Sequence, residues 1–228
     1  MSLRELTVAL TLVATLGCTT ARDVTLELPV QPRVAFSGRE RLHVGPFLRE
    51  SRDDRGQLPL RFDVAAEFER YLSRLLRKES KFFITPQVEG LRLPSTDPLE
   101  MAKNAGFWRE LGARSEADFI ISGSIDFQIQ DRTGYKMEEF FSPLDGRTYY
   151  RQVLVEQTGF SFDILLQIYD ARTGAMVYEE PIKDFREVPE RQFDEFTGMF
   201  SNLYALENRL IGVFVPRTIK SKRVLFTP

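Results

Sequence analysis

"ISGSIDFQIQ", residues 121–130, decides the fold. Ile121, Gly123, Ile125, Phe127 and Ile129 alternate with Ser122, Ser124, Asp126, Gln128 and Gln130. A period of two sends successive side chains to opposite faces of a strand, here one apolar and one polar. Residues 160–168, "FSFDILLQI", repeat the pattern through Phe160, Phe162, Ile164, Leu166 and Ile168. "YDARTGAMVY" (169–178) then predicts a hairpin turn in which Gly174 suits a positive φ, with Met176 to Phe185 as the return strand. These segments predict an antiparallel meander with one face to bury.

Upstream, the pattern alternates strand and helix. Arg41 to Phe47, "RLHVGPF", predicts a strand ending at Pro46, and the charged residues 48–61, with Gly56 and Pro59, predict a solvated loop. Asp63 predicts a helix cap, because a carboxylate can accept from the free N–H groups of a first turn. Val64, Phe68, Tyr71, Leu72, Leu75 and Leu76 follow at helical spacing, with Arg70, Arg74, Arg77 and Lys78 off that stripe. "KFFITP" (81–86) predicts a short buried strand. Asp97, Pro98 and Glu100 combine a cap, a proline at the first position and an acid at the third, which predicts a helix to about Arg114.

Downstream, Pro189 opens a long helix with Phe193, Phe196, Phe200, Leu203, Leu210 and Phe214 along one side. Gly198 and Gly212 weaken it and Pro216 ends it, before a short last strand at 223–226, "RVLF". The fold class is therefore α/β in the α+β sense: a mixed sheet with a β-α-β-α start, an antiparallel meander, a long C-terminal helix and a short last strand. Residues 41–228 form one domain in this reading, and 18–40 an extended tether broken by Pro29, Pro32 and Gly38, with a short strand near Val24 to Leu28.

The first residues have another character. Leu6 to Gly17 is an almost uncharged run, too short to span a bilayer but of signal-peptide length, and Cys18, the only cysteine, follows it directly. The segment resembles a bacterial lipoprotein signal, whose lipobox ends in a small residue and a cysteine, as Leu16-Gly17-Cys18 does. The resemblance implies removal of residues 1–17, a diacylglyceryl group on the Cys18 sulfur and an N-acyl chain such as palmitate on its new amine. One chain holds a protein only marginally, whereas several anchor it durably. Thr19 is not aspartate, so the inner-membrane retention signal known from some lipoproteins is missing, which favours the outer membrane with the body facing the periplasm.

Composition narrows the function classes. Apolar residues make up 43% of the chain, enough for a real core, and phenylalanine occurs 19 times. A net charge of −2 with both signs mixed leaves no basic footprint for nucleic acid.

Four features then stand together: the lipobox, the early "VGPF" strand (44–47), "ADFIISGSI" (117–125) and "LLQIYDARTGAMVYEE" (165–180). The chain thus resembles the CsgG/LpoB-like periplasmic lipoproteins, whose domain is akin to the N-terminal domain of TolB, over roughly residues 41–185. Ala117, Asp118, Gly123 and Ile125 fill one motif of that group, and Asp170, Thr173 and Gly174 the other. Some members activate a peptidoglycan synthase and others form a secretion pore for curli subunits. The resemblance implies a non-enzymatic scaffold in the envelope and does not name its partner.

No catalytic set is visible. Nucleophilic catalysis needs an activated Ser, Cys or Lys beside a base. The one histidine, His43, alternates with Leu42 and Val44 on a strand, which predicts a structural or exposed role. One histidine and one lipidated cysteine leave only carboxylates for a metal. Glu138-Glu139 and Glu179-Glu180 are adjacent pairs, which a strand sends to opposite faces. An enzyme would need Asp126, Asp163 or Asp170 to converge. No catalytic residue, metal or cofactor is therefore assigned, apart from the covalent lipid on Cys18. The basic residues Arg217, Lys220, Lys222 and Arg223 fit the solvated edge of a strand.

The segment to watch is 132–158, longer than a hairpin connection needs. Tyr135, Phe140, Phe141, Tyr149 and Tyr150 make it a candidate partner surface, since aromatics beside charges suit an interface. Two alternatives stand beside that: a further sheet strand whose aromatics simply pack, and a membrane hairpin. The hairpin would place Tyr149, Val153 and Val155 on one face, interrupted by Arg151, with Lys136, Glu138 and Glu139 on the strand opposite. The expected function is a membrane-anchored scaffold binding an envelope protein or a peptidoglycan-associated partner. The alternative is a subunit of an oligomeric outer-membrane secretion or assembly channel, a homo-oligomer.

Overall fold

The computed structural model describes residues 20–50, 62–188 and 195–227. In chain order the elements are β1 (Thr20–Val30), β2 (Arg41–Arg49), α1 (Val64–Glu79), β3 (Phe83–Ile84), α2 (Pro98–Lys103), α3 (Ala105–Ser115), β4 (Phe119–Phe141), β5 (Thr148–Asp170), β6 (Met176–Val188), α4 (Glu195–Gly212) and β7 (Arg217–Thr227). The chain divides into two units, Arg33–Val215 and the pair of ends that flank it.

Within Arg33–Val215, five strands form one sheet in the order β3-β2-β4-β5-β6. Strand β2 runs parallel to β3 and β4, while β4, β5 and β6 are successively antiparallel. The mixed α+β sheet, the meander and the helix followed by a last strand agree with the sequence. Odd-numbered residues of β4 (Ile121, Ile125, Phe127) join α1 and α4 in one apolar cluster, together with Phe160, Phe162, Ile164, Leu166 and Ile168 of β5. Ile120 and Tyr169 belong instead to a second cluster with Met101, Phe107, Trp108 and Leu111. The sheet is thus covered by α1 and α4 on one face and by α2 and α3 on the other. Each large side chain buried this way contributes about 1.5–3 kcal/mol.

Several boundaries differ from the sequence reading. Strand β2 does not stop at Pro46 but continues to Arg49 through an irregularity between Val44 and Phe47, after which Phe47 pairs with Gly123. The bulge removes Pro46, which has no N–H, from the ladder. The helix expected from Asp97 to Arg114 is two helices. Asn104 leaves helical conformation at φ −85° and ψ 70°, and its side chain accepts from the Phe107 N–H at 3.0 Å, capping α3. Strands β4 and β5 are 23 residues each, far longer than their apolar alternation. The start proposed for the last helix, at Pro189 with Phe193, lies outside the described residues.

Two glycines explain close approaches. Gly123 has φ +141°, and a Cβ there would lie 1.7 Å from the Leu165 carbonyl oxygen. Gly198, read from sequence as a weak point of the helix, lets α4 meet the Phe160 ring, which a Cβ would approach to 2.3 Å. Phe36 packs edge-on against Phe82 and Phe119 and stacks on Phe214, so the segment leading into β2 is held by the core.

The flanking unit is a two-stranded antiparallel ribbon, β1 with β7, in register from Thr20↔Thr227 to Val30↔Arg217. Both strands are longer than the sequence predicts. Their alternation puts Val24, Leu26, Leu28, Val30, Ile219 and Leu225 on one face and Glu27, Lys220 and Lys222 on the other, where Lys220 pairs with Glu27 at 3.3 Å. The basic residues of the C-terminal segment are therefore divided between the two faces. No helix among the described residues is long and apolar enough to cross a membrane.

Candidate functional site

Among the described residues, strand β6 pairs with β5 only as far as Thr158, which lies opposite Asp131. Beyond that level β4 and β5 continue as a two-stranded arm to Phe141↔Thr148. Ten residues per strand at roughly 3.3 Å each extend it about 30 Å. The tip is a tight connection: Ser142 N–H donates to the Arg147 carbonyl at 2.9 Å and Gly146 N–H to the Ser142 carbonyl at 3.0 Å. Asp145 accepts from the Arg147 N–H at 3.2 Å and from the Tyr149 hydroxyl. Leu144, at the turn, is 97% exposed.

The long segment 132–158 is thus strand, as one alternative held, but its aromatics do not pack into the core. Register separates them into two sets. On one face lie Lys136, Glu138 and Phe140, opposite Val153, Arg151 and Tyr149. That face closes on itself. Arg151 donates to Glu138 at 2.9 and 3.1 Å, and its guanidinium sits 5.2 Å from the centre of the Phe140 ring. Exposed pairs of this sort contribute about 1 kcal/mol or less.

The other face carries Tyr135, Met137, Glu139 and Phe141, opposite Leu154, Gln152, Tyr150 and Thr148. Tyr135, Met137, Phe141, Tyr150 and Leu154 are between 56% and 72% exposed. Glu139 is the one charged residue among these eight, and the pleat sends it to the face opposite Lys136 and Glu138, as the sequence expects of the adjacent pair Glu138-Glu139. The same parity in β4 lines the core lower down, at Ile121, Ile125 and Phe127. The arm therefore prolongs the core-forming stripe past the described parts of the helices that cover it. Of the five candidate residues, Tyr135, Phe141 and Tyr150 share the open face, while Phe140 and Tyr149 have partners on the closed one. Sequence reasoning missed Met137 and Leu154; extending the period of two through 135–141 would have found the first.

The remaining candidates have structural surroundings. His43 is 1% exposed, and its Nδ1 shares a 2.8 Å hydrogen bond with the Thr85 hydroxyl. Its Nε2 is buried with no partner among the described residues, and burial pushes the imidazole down to about 4. Asp126 and Asp163 face each other across β4 and β5, but Gln128 donates to Asp126 at 2.6 Å and Lys183 to Asp163 at 2.5 Å. Asp170 does not join them. It closes the β5–β6 turn by accepting from the Thr173 amide at 2.7 Å and hydroxyl at 2.9 Å, while Gly174, at φ +73°, donates to the Asp170 carbonyl at 2.8 Å. Desolvation works against its charge, but the Thr173 bonds and Arg172 hold its carboxyl below the usual range. Glu179 and Glu180 diverge, one accepting from Gln167 and the other from Tyr178. Among the described residues, no three His, Cys, Asp or Glu side chains group as a metal site. Cys18 lies outside the described residues.

No family profile matches the chain, and no curated protein matches it. Among solved structures it is similar to the hypothetical protein CT253 from Chlamydia trachomatis, with a TM-score of 0.42 and 15% identity over 76% of this chain and 94% of that one. It is similar to a PelC dodecamer from Paraburkholderia phytofirmans, with a TM-score of 0.41 and 14% identity over 84% and 96% of the two chains. The lipoprotein GNA1162 from Neisseria meningitidis aligns with a TM-score of 0.38 and 13% identity over 75% of this chain and 97% of that one.

Proposed function

We propose that this protein is a non-enzymatic binding module of the bacterial envelope, tethered by lipid on Cys18 to the outer membrane, facing the periplasm and engaging a protein partner through the β4–β5 arm. The observation that carries the reading is the open face of that arm. Its five large apolar side chains are laid out by the backbone of the two longest strands, which are anchored in the middle of the sheet. Tyrosine supplies large contact area with few rotatable bonds, so such a face loses little entropy on docking. The lipobox residues Leu16-Gly17-Cys18 support the anchor, and the CsgG/LpoB-like motifs support an envelope role.

The test has two parts. Cells fed labelled palmitate should label the wild type and not Cys18→Ser, and a wild type without label removes the anchor. A photo-crosslinking residue at Leu154 in intact envelopes should give one discrete adduct, lost in a Tyr135→Ser, Phe141→Ser, Tyr150→Ser variant whose melting temperature is unchanged. An adduct indifferent to those three changes removes the arm as the partner surface. Molecular mass in detergent decides against the second reading, a subunit of an oligomeric channel, if the protein is monomeric, and in its favour if a large ring is found.

A further inference from the structure

Helices α1 and α4 leave an open groove of about 520 Å³ outside the core. Core-facing positions are Phe68, Leu72, Leu75 and Leu76 on α1, and Met199, Leu203, Leu206 and Leu210 on α4. Thr85 and Gln87 also line the groove, but its two long walls are the neighbouring stripes. On α1 these are Arg70, Arg74 and Arg77, which helical spacing puts on one side. On α4 they are Phe196, Phe200 and Tyr204, successive at four residues. Ser73, between the arginines, also lines the groove.

The two walls differ in chemistry. Arg70 is paired with Glu67, but Arg74 and Arg77 make no hydrogen bond or ion pair with any described residue. The α1 wall thus brings three guanidiniums against one carboxylate. The aromatic wall is held in place by ring contacts: Phe196 to Phe200 at 4.7 Å, and Tyr71 to both Phe200 and Tyr204 at 6.0 Å. Its outer rings remain open, Phe196 at 45% and Tyr204 at 64% exposure. From Arg70 to Arg77, or from Phe196 to Tyr204, the walls run roughly 10–12 Å at 1.5 Å per residue. Length and volume suit one small molecule.

We infer that this groove binds a small amphipathic anion, with a carboxylate or phosphate on Arg74 and Arg77 and a flat apolar body against Phe196, Phe200 and Tyr204. Guanidinium groups match the planar, two-oxygen geometry of such anions, and the rings supply a face for stacking. The site is separate from the arm and owes nothing to the lipid anchor.

The probe is 2-naphthyl phosphate, titrated calorimetrically into the full chain, with 2-naphthoate, 2-naphthol and inorganic phosphate as comparison ligands. One equivalent of naphthyl phosphate should bind at least about tenfold more tightly than naphthol or inorganic phosphate, because hydrogen bonds to a charged group are the stronger kind. The naphthoate titration separates the two anions, tighter binding of either identifying the preferred head group. Arg74→Glu with Arg77→Glu should weaken binding at least about tenfold, and Tyr204→Ala should weaken it too. Arg74→Gln with Arg77→Gln reads the same loss should charge reversal disturb folding. Naphthol binding as tightly as naphthyl phosphate, binding unchanged in the arginine variants, or no saturable binding would each overturn the inference.

Discussion

Replacing Glu69 by glutamine should stabilise the protein at neutral pH by about 2 kcal/mol. Glu69 lies on α1 beneath the bulge of β2, where its carboxylate accepts from the Phe47 N–H at 2.7 Å and comes within 3.0 Å of where a Cβ on Gly45 would stand. Burial raises its pKa from 4.5 to about 6, against the lowering effect of the Phe47 bond. A carboxyl raised in the folded state binds its proton more tightly there than in the unfolded chain. Its contribution is therefore most favourable below 4.5 and is lost as pH rises through about 6. At about 1.4 kcal/mol per pH unit the loss is about 2 kcal/mol, which glutamine avoids while keeping an oxygen for Phe47. His43 acts in the opposite direction. Its pKa falls from 6.5 to about 4, so its stabilising effect is complete above 6.5 and is lost as pH falls through about 4. Between pH 4.5 and 6 the two slopes oppose each other in the wild type. In Glu69→Gln only the histidine slope remains, about 1.4 kcal/mol per pH unit. Urea unfolding followed by Trp108, the single tryptophan and a buried one, measures both quantities at pH 5, 6 and 7.5. A variant no more stable than wild type at pH 7.5, with an unchanged pH profile, would refute the assignment of Glu69.

Gly123→Ala should cost at least about 4 kcal/mol or abolish soluble expression, because the new methyl meets the Leu165 carbonyl at a positive φ; thermal melting checks it. Trp108→Phe should cost about 1–3 kcal/mol by urea titration followed by circular dichroism, since it loses the Nε1–H bond to the Met101 carbonyl at 2.8 Å and part of the stack on Tyr169 at 4.1 Å. Asp63→Ala should cost about 1 kcal/mol by removing the acceptor for the Ala65 and Ala66 N–H groups. Excising the arm and rejoining β4 to β5 by a two-residue turn near Thr133 and Glu156 should leave the melting temperature within a few degrees and eliminate crosslinking; a collapse of the fold would show that the arm supports the body.

The meander was legible because burial on one face of β4 and β5 imprints an apolar period of two. The same cause hid the arm. Where none of the described helices covers the strands, at 132–141 and 148–157, nothing forces strict alternation, and polar residues such as Glu139 and Gln152 interrupt it on the open face. The division at Asn104 was hidden because a cap is written by one short polar side chain inside an otherwise continuous helical pattern. Likewise β1 and β7 pair ends nearly two hundred residues apart, and no local signal announces a partner at that distance. The groove was half legible: the arginines stood off the apolar stripe of α1, but the aromatics of α4 looked like core until the packing divided Phe196 and Phe200 from Leu203 and Leu210.

The arm has a mechanical consequence. Its strands are the same two that run through the middle of the sheet, in unbroken register from Phe119↔Asp170 to Phe141↔Thr148. No hinge interrupts them, so a tug on the tip is not absorbed by a slack linker. It travels along the backbone as through a lever whose fulcrum is clamped by β2 on one flank and β6 on the other. A load that peels the tip apart breaks pairs one at a time, whereas a load along the strands must shear many together, so direction of pull sets how firmly the grip holds.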